Sequence, residues 1–283
     1  MHFSDWIWIF FVVILLLPVI QRRLLESRRI AAMRAIEVKR KSRVIALIHR
    51  QETMALLGFP IMRYIDINDS EEVIRAVRLT DPDVPIDVII HTPGGLVLAA
   101  DQIAQALLRH KAKVTVFVPH YAMSGGTLVA LGADEVAMAP NAVLGPIDPQ
   151  IGGMPAASIL SVLEQKRPMQ IDDQTLILAD VARKATDQLR IRVRSLLSQR
   201  LEVHAADDLA NKLTSGKWTH DYAITFEEAK EMGLAVTEDV PDEIYRFMSF
   251  FPQVIRHQPT VQYIPVPYHR EGPGSGGKAA KGA

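Results

Sequence analysis

The sequence predicts an α/β domain with a mainly parallel sheet built of β-α-β units, preceded by one N-terminal transmembrane helix. Three observations predict it. An uncharged apolar run opens the chain, reading WIWIFFVVILLLPVI over residues 6–20. Short apolar strands then alternate with helical segments of about ten to fifteen residues, the spacing that parallel crossovers need. Glycine pairs stand where two of those strands give way to helices, at 94–95 and 125–126.

The apolar run is followed by Arg22, Arg23, Arg28 and Arg29 and carries Trp6 and Trp8 at its start. An aromatic belt on one side and a positive flank on the other are the marks of an uncleaved anchor. The run is short for a bilayer core of ~30 Å. The head, Met1 to Asp5, has no basic n-region and no small-residue cleavage site follows, which argues against a signal peptide. With every cation on the C-terminal side, the positive-inside rule places the rest of the chain in the cytoplasm.

Residues 21–52 hold many Arg, Lys, Ala, Ile and Leu and no Gly or Pro, so they read as a basic amphipathic helix, broken at Gly58 and Pro60. A strand is expected at 61–67, then a helix capped by Ser70 and running to Leu79. IDVIIH at 86–91 reads as a buried strand, 96–110 as a helix, KVTVFV at 113–118 as the next strand, and 124–132 as a small-residue helix. A short strand follows at 135–138. Helices are expected at 156–165, 173–202, 207–213 and 225–232, the last stopped by Gly233. The tail from Arg270 lacks the apolar content to fold. The expected organisation is therefore an anchor at 1–22, a basic juxtamembrane helix at 23–57, an α/β domain at 58–252 and a C-terminal extension at 253–283.

Composition narrows the function. The chain has 283 residues, 48% hydrophobic and 23% charged, enough for one sizeable core. Lys+Arg and Asp+Glu both number 32, and no basic stripe carries interleaved aromatics, so nucleic acid is not an expected partner. There is no cysteine, which excludes disulfides, zinc thiolates and a cysteine nucleophile. The 9 histidines show no metal-ligand spacing and no P-loop is present, so no metal or cofactor is expected.

Two loops carry the chemistry. His91-Thr92-Pro93-Gly94-Gly95 turns sharply after a strand and presents backbone N–H groups at a helix start, which suits an oxyanion. Tyr121-Ala122-Met123-Ser124-Gly125-Gly126 puts a serine hydroxyl at a strand-to-helix turn, the logic of a nucleophile elbow without its usual spacing. A serine before Gly-Gly can equally be an N-cap. What joins the loops is that they follow successive strands, as one β-α-β unit would place them.

With HTPGG, AMSGG, GPIDPQ and THDY in one anchored chain, residues 60–240 resemble the serine dehydrogenase proteinase family. These are Clp/crotonase-fold membrane peptidases similar to signal peptide peptidase A and the Clp proteolytic subunit. The resemblance implies a serine endopeptidase with Ser124 as nucleophile and Gly95 and Gly125 N–H as oxyanion hole. Asp148 falls where the Clp histidine would stand, and Asp221 where the Clp aspartate sits. By its spacing from the SLL turn at 195–197, Lys184 resembles the lysine base of related archaeal membrane peptidases. Its other reading is an i,i+4 ion pair with Asp180. Lys166 is a second candidate, and His91 and His120, bordering the loops, are further possible bases. Asp148 and Asp221 are candidates to orient a base. The resemblance also implies polypeptide substrates and a homo-oligomer, with membrane lipid as the other partner. The competing readings are a crotonase-type acyl-CoA enzyme and a non-catalytic membrane scaffold.

Overall fold

A computed structural model describes the backbone of residues 3–50, 52–53, 60–61 and 63–251, and the side chains of 15–50 and 63–251. Five parallel strands make the central sheet: β1 (Arg43–Ile48), β2 (Ile86–His91), β3 (Val114–Val118), β4 (Glu135–Met138) and β5 (Val236–Thr237), paired in that order. The register sets Arg43 opposite Ile86, Ile86 opposite Val114, Thr115 opposite Glu135 and Val136 opposite Val236. A sheet covered on both faces needs apolar residues throughout, and β2 and β3 are buried at every position.

Alternation along the strands divides the core in two. Ile45, Leu47, Val88, Ile90, Val116 and Val118 join one cluster, and Val44, Ile89, Phe117 and Ala137 join the other. The first is covered by α3 (Val97–Leu108), α4 (Gly125–Ala130), the C-terminal part of α6 (Asp173–Leu197) and α7 (Val203–Thr214). Over the second lie the C-terminal half of α1 (Phe3–Arg40) and α9 (Asp242–Met248), through Ile36, Ile244 and Phe247. α2 (Ile67–Arg78) packs beside α3, and α8 (Phe226–Glu231) leads into β5. α5 (Ala156–Gln165) pairs with the start of α6 around a small core of its own, Ala156, Ile159, Ala179 and Ala182.

Several expectations need correction. The basic helix does not reach residue 57: α1 ends at Arg40, and RVIALI at 43–48 is a strand of the main sheet. The stop is local. Lys41 adopts φ 53, a left-handed conformation no helix continues through, and Val44 N–H donates to the Glu37 carboxylate. The α/β domain therefore begins before residue 58. The strand expected at 61–67 is reduced to Pro60–Ile61 and a single bridge between Ile65 and Gly95, while Ile67 already opens α2. That helix is capped by Asp66, whose carboxylate accepts from Asp69 N–H in a reciprocal capping box, rather than by Ser70. α6 stops at Leu197 and α7 starts at Val203, earlier than expected; β5 and α9 were not anticipated.

The segment expected to be the anchor has a helical backbone from Phe3 on, within α1. Among the described residues no helix is long and apolar enough to cross a membrane. The extension at 253–283 lies outside the described residues.

Candidate active site

At the carboxyl edge of the sheet a second layer of short pairings forms. Tyr121–Ala122 runs parallel to Val143–Leu144, Thr92 bridges Ala122, and Leu144 bridges Ile224 in the opposite sense. These pairings draw three loops together: 92–95 after β2, 121–126 after β3, and 144–148 against 220–224. Thr127 fastens two of them: its hydroxyl, with one hydrogen to donate, lies 2.7 Å from Ala122 O and 2.9 Å from Gly145 O, and it accepts from Gly145 N–H at 3.0 Å.

The first two loops touch through glycine. A Cβ on Gly94 would stand 2.9 Å from Ser124 Cβ, and one on Gly125 would stand 3.3 Å from Gly95 N. Only hydrogen fits in that space. Gly94 and Gly95 have φ 109 and 156, and a side chain on Gly95 would run into the backbone of Ile65. Ser124 itself holds φ 50 and ψ −112, a conformation that costs a non-glycine residue ~1–3 kcal/mol. That is the sharp strand-to-helix turn of a nucleophile elbow.

The polar groups at this turn are free. Ser124 is half-buried and its side chain makes no capping hydrogen bond. Leu96 N–H donates to Ile65 O and Gly126 N–H to Met123 O, yet the N–H groups of Gly95 and Gly125 donate to nothing among the described residues. Two unspent amides beside an unspent hydroxyl can hold the oxygen of a carbonyl that the hydroxyl attacks. An open cleft runs past Gly95, lined by His49, Ile65, Asp66, Asp69 and Leu96.

The remaining candidates separate. Asp148 is buried, its side chain 2% exposed; it accepts from Gln150 Nε2 at 2.7 Å and pairs with His220 Nδ1 at 2.8 Å. The carboxylate raises the His220 pKa above the ordinary imidazole value, against a smaller opposing effect of burial. His220 Nε2 bonds to nothing among the described residues. His220 was not singled out from the sequence. Its signal was its place in THDY, next to Asp221, in a chain whose aspartate stands at the position of the Clp histidine. Asp221 is exposed and acts on His220 only through its charge.

His91 is fully buried, stacked on His120 with centroids 5.6 Å apart and tilted against Tyr121 at 4.2 Å. Neither ring nitrogen has a hydrogen-bond partner among the described residues, and burial, then Arg50, His120 and His49, push its pKa down to about 4. It packs behind the loops. Lys184 lies on α6, 67% exposed by its side chain, with Nζ 2.5 Å from Asp180 Oδ2. Lys166 is the exposed C-cap of α5. Among the described residues no group of three His, Asp or Glu side chains is arranged to hold a metal.

A strained serine with two free amides at the carboxyl edge of a parallel sheet defines a serine hydrolase of the acyl-transfer kind. The chain belongs to the ClpP-like SDH-type serine proteinase family, whose model matches residues 1–278, and it is a serine peptidase. Two proteins of Methanocaldococcus jannaschii, the uncharacterized proteins MJ0137 and MJ1495, are 51% and 50% identical to it, each over 93% of this chain and over 92% and 90% of their own lengths. Among solved structures, a mutant of the 1510-N membrane-bound stomatin-specific protease is similar with TM-score 0.44 and 23% identity, covering 65% of this chain and 79% of its own. ClpP1 from Listeria monocytogenes is similar with TM-score 0.44 and 16% identity, over 78% of this chain and 97% of its own.

Proposed function

We propose that the chain is a membrane-anchored endopeptidase that cuts polypeptide segments at the cytoplasmic face of the bilayer, with Ser124 as nucleophile. The observation that carries the reading is the junction of Ser124 and Gly125 with Gly94 and Gly95, where a strained serine meets two unspent amides. Ser124 Oγ bonds to the scissile carbonyl carbon while its proton passes to a base. Gly95 and Gly125 N–H hold the oxygen as it becomes negative. The base then protonates the leaving amine, the C–N bond breaks, and water releases the acyl group by the reverse order of proton transfers.

Lys184 is the base in this reading, as its spacing to the SLL turn suggests. In the single chain it is paired with Asp180 and exposed, whereas a lysine base works where its surroundings exclude water. α6 exposes Ile177 and Val181, seven and three residues before Lys184 on the same face, along with Leu176. A homo-oligomer formed through that face would cover the lysine and take it out of water. One observation favours a second base: the Asp148–His220 pair, whose Nδ1–carboxylate hydrogen bond leaves Nε2 available, as in a serine triad. The acyl-CoA alternative gives way to the family assignment.

The test is proteolysis by purified full-length protein in detergent. Ser124→Ala should abolish turnover and labelling by a fluorophosphonate while leaving thermal unfolding within a few degrees of the parent. Equal proteolysis by that variant would sink the proposal. Lys184→Ala and His220→Gln, assayed in parallel, identify the base by which of them loses at least a hundredfold in turnover.

A further inference from the structure

The anchor helix is not joined to the catalytic domain by a flexible linker. α1 is one helix from Phe3 to Arg40, and its last third is docked on the sheet. Arg29 Nε donates to Phe250 O at 2.9 Å and its guanidinium lies 4.0 Å over the Phe251 ring. Ile36 is 1% exposed in the core, and Arg40 donates to Asp87 at 2.5 Å while stacking over Phe117 at 4.7 Å. From Arg29 back to Ile20, the end of the apolar run, is nine residues, about 14 Å of helix. Whatever height and tilt the anchor takes, the domain follows.

The direction of the site follows from the turn after α1. Only Lys41 and Ser42 separate the helix from β1, and a connection that short sends the strand back along the helix that precedes it. The side-chain contacts agree. Arg40 meets Asp87, the second residue of β2, while Ile36, one turn nearer the anchor, packs in the cluster of Ile89, two residues further along that strand. The strands therefore run toward the N-terminal end of α1, and their carboxyl edge, where Ser124 and Gly95 lie, faces the side from which the anchor arrives.

The two edges differ in surface chemistry accordingly. Beside Gly95 the carboxyl edge exposes Leu96, Val97 and Leu98 at 54%, 45% and 62%. At the amino edge, the turns around Asp81, Asp83 and Lys111 are charged, with Lys111 and Asp83 paired at 2.6 Å. Between the apolar run and the docked part of α1, Arg22, Arg23 and Arg28 are exposed, placed where phosphate headgroups would lie.

We infer that the carboxyl edge of the sheet, with Leu96, Val97 and Leu98 around the Ser124 and Gly95 loops, rests against an anionic bilayer surface, so that the nucleophile opens toward the membrane. The inference rests on the anchor reading of the apolar run. It restricts the substrate to segments lying in or emerging from the headgroup layer, whatever their sequence.

The absence of cysteine makes the test direct. Leu98→Cys at the carboxyl edge and Lys111→Cys at the amino edge are each labelled with an environment-sensitive fluorophore in the full chain. The labelled proteins are reconstituted into phosphatidylcholine vesicles containing phosphatidylglycerol, with and without a nitroxide lipid quencher near the headgroup. The label at 98 should be quenched at least threefold more than the label at 111, and more strongly with phosphatidylglycerol than without it. Equal quenching, or stronger quenching at 111, overturns the inference and leaves the anchor reading standing. A chain that fails to float with the vesicles overturns both.

Discussion

At the scale of single residues, the site is a problem of space. Gly95 stands at φ 156 with the Ile65 backbone against the position a Cβ would take, and Gly125 stands 3.3 Å, measured from its own missing Cβ, from Gly95 N. Gly95→Ala must therefore move the 92–95 loop, and with it the N–H proposed as one oxyanion donor. Losing one such donor costs ~10²–10³ in kcat. The expected result is a fall of about that size in kcat with KM little changed, read by steady-state peptide hydrolysis; a variant within threefold of the parent would mean that Gly95 N–H does not contact the reacting oxygen. The meeting of these two loops was legible in the sequence, because HTPGG and SGG are local: the glycines that the close approach requires sit beside the candidate serine. The rest of the candidate site was not. The Asp148–His220 pair joins residues 72 positions apart, brought together by the bridge between Leu144 and Ile224. Asp148 was noted for standing at a histidine's position, but nothing local to it named its partner. Lys184 was legible both as a base by resemblance and as an i,i+4 partner of Asp180, and the second is the arrangement the single chain adopts.

At the scale of elements, the sheet was read where strands are bounded by punctuation and missed where they are not. IDVIIH and KVTVFV lie between turn residues and glycines, and both form strands within a residue of the expected ends. RVIALI follows a basic helical run without Gly or Pro, and a six-residue apolar stretch has no periodicity that separates a buried strand from one more helical turn. What separates them is tertiary: pairing with β2 and the left-handed turn at Lys41. Val236–Thr237 was missed for a different reason. Two residues are too few to show a pattern, and they form a strand only because β4 offers an edge. The junction of α1 with the sheet makes a prediction of its own. Ile36 is the helix residue buried deepest among Ile89, Phe117, Ile244 and Phe247. Ile36→Ala should remove ~2–5 kcal/mol of stability through the lost methylenes and the cavity left behind. Denaturant unfolding in detergent measures it. An effect below 0.5 kcal/mol, the range of an ordinary surface substitution, would show that α1 is not part of the folded core.

At the scale of the whole molecule, stability should depend on pH through a fully buried imidazole. His91 sits at the centre of the carboxyl edge, fully buried, between His120 and Tyr121 and within the field of Arg50 and His49. Its folded pKa is pushed down to about 4, while the unfolded chain titrates near the ordinary value of 6.5. Between those values the unfolded state binds a proton that the folded state refuses, so the contribution is fully present above pH ~6.5 and is lost as the pH falls toward 4. A shift of that size corresponds to ~3 kcal/mol across the window. His220 works in the opposite sense. Asp148 raises its folded pKa, so its contribution is present below pH ~6.5 and is lost as the pH rises through the raised value. The two limbs leave the molecule most stable near neutrality. His91→Phe keeps an aromatic ring against Tyr121 and removes the titrating nitrogen. The parent should lose stability more steeply than this variant between pH 6.5 and 4, with the two curves parallel above neutrality. Chemical unfolding at a series of pH values reads the difference directly, and curves that stay parallel throughout the acid range would show that His91 accepts a proton in the folded protein as readily as in the unfolded chain.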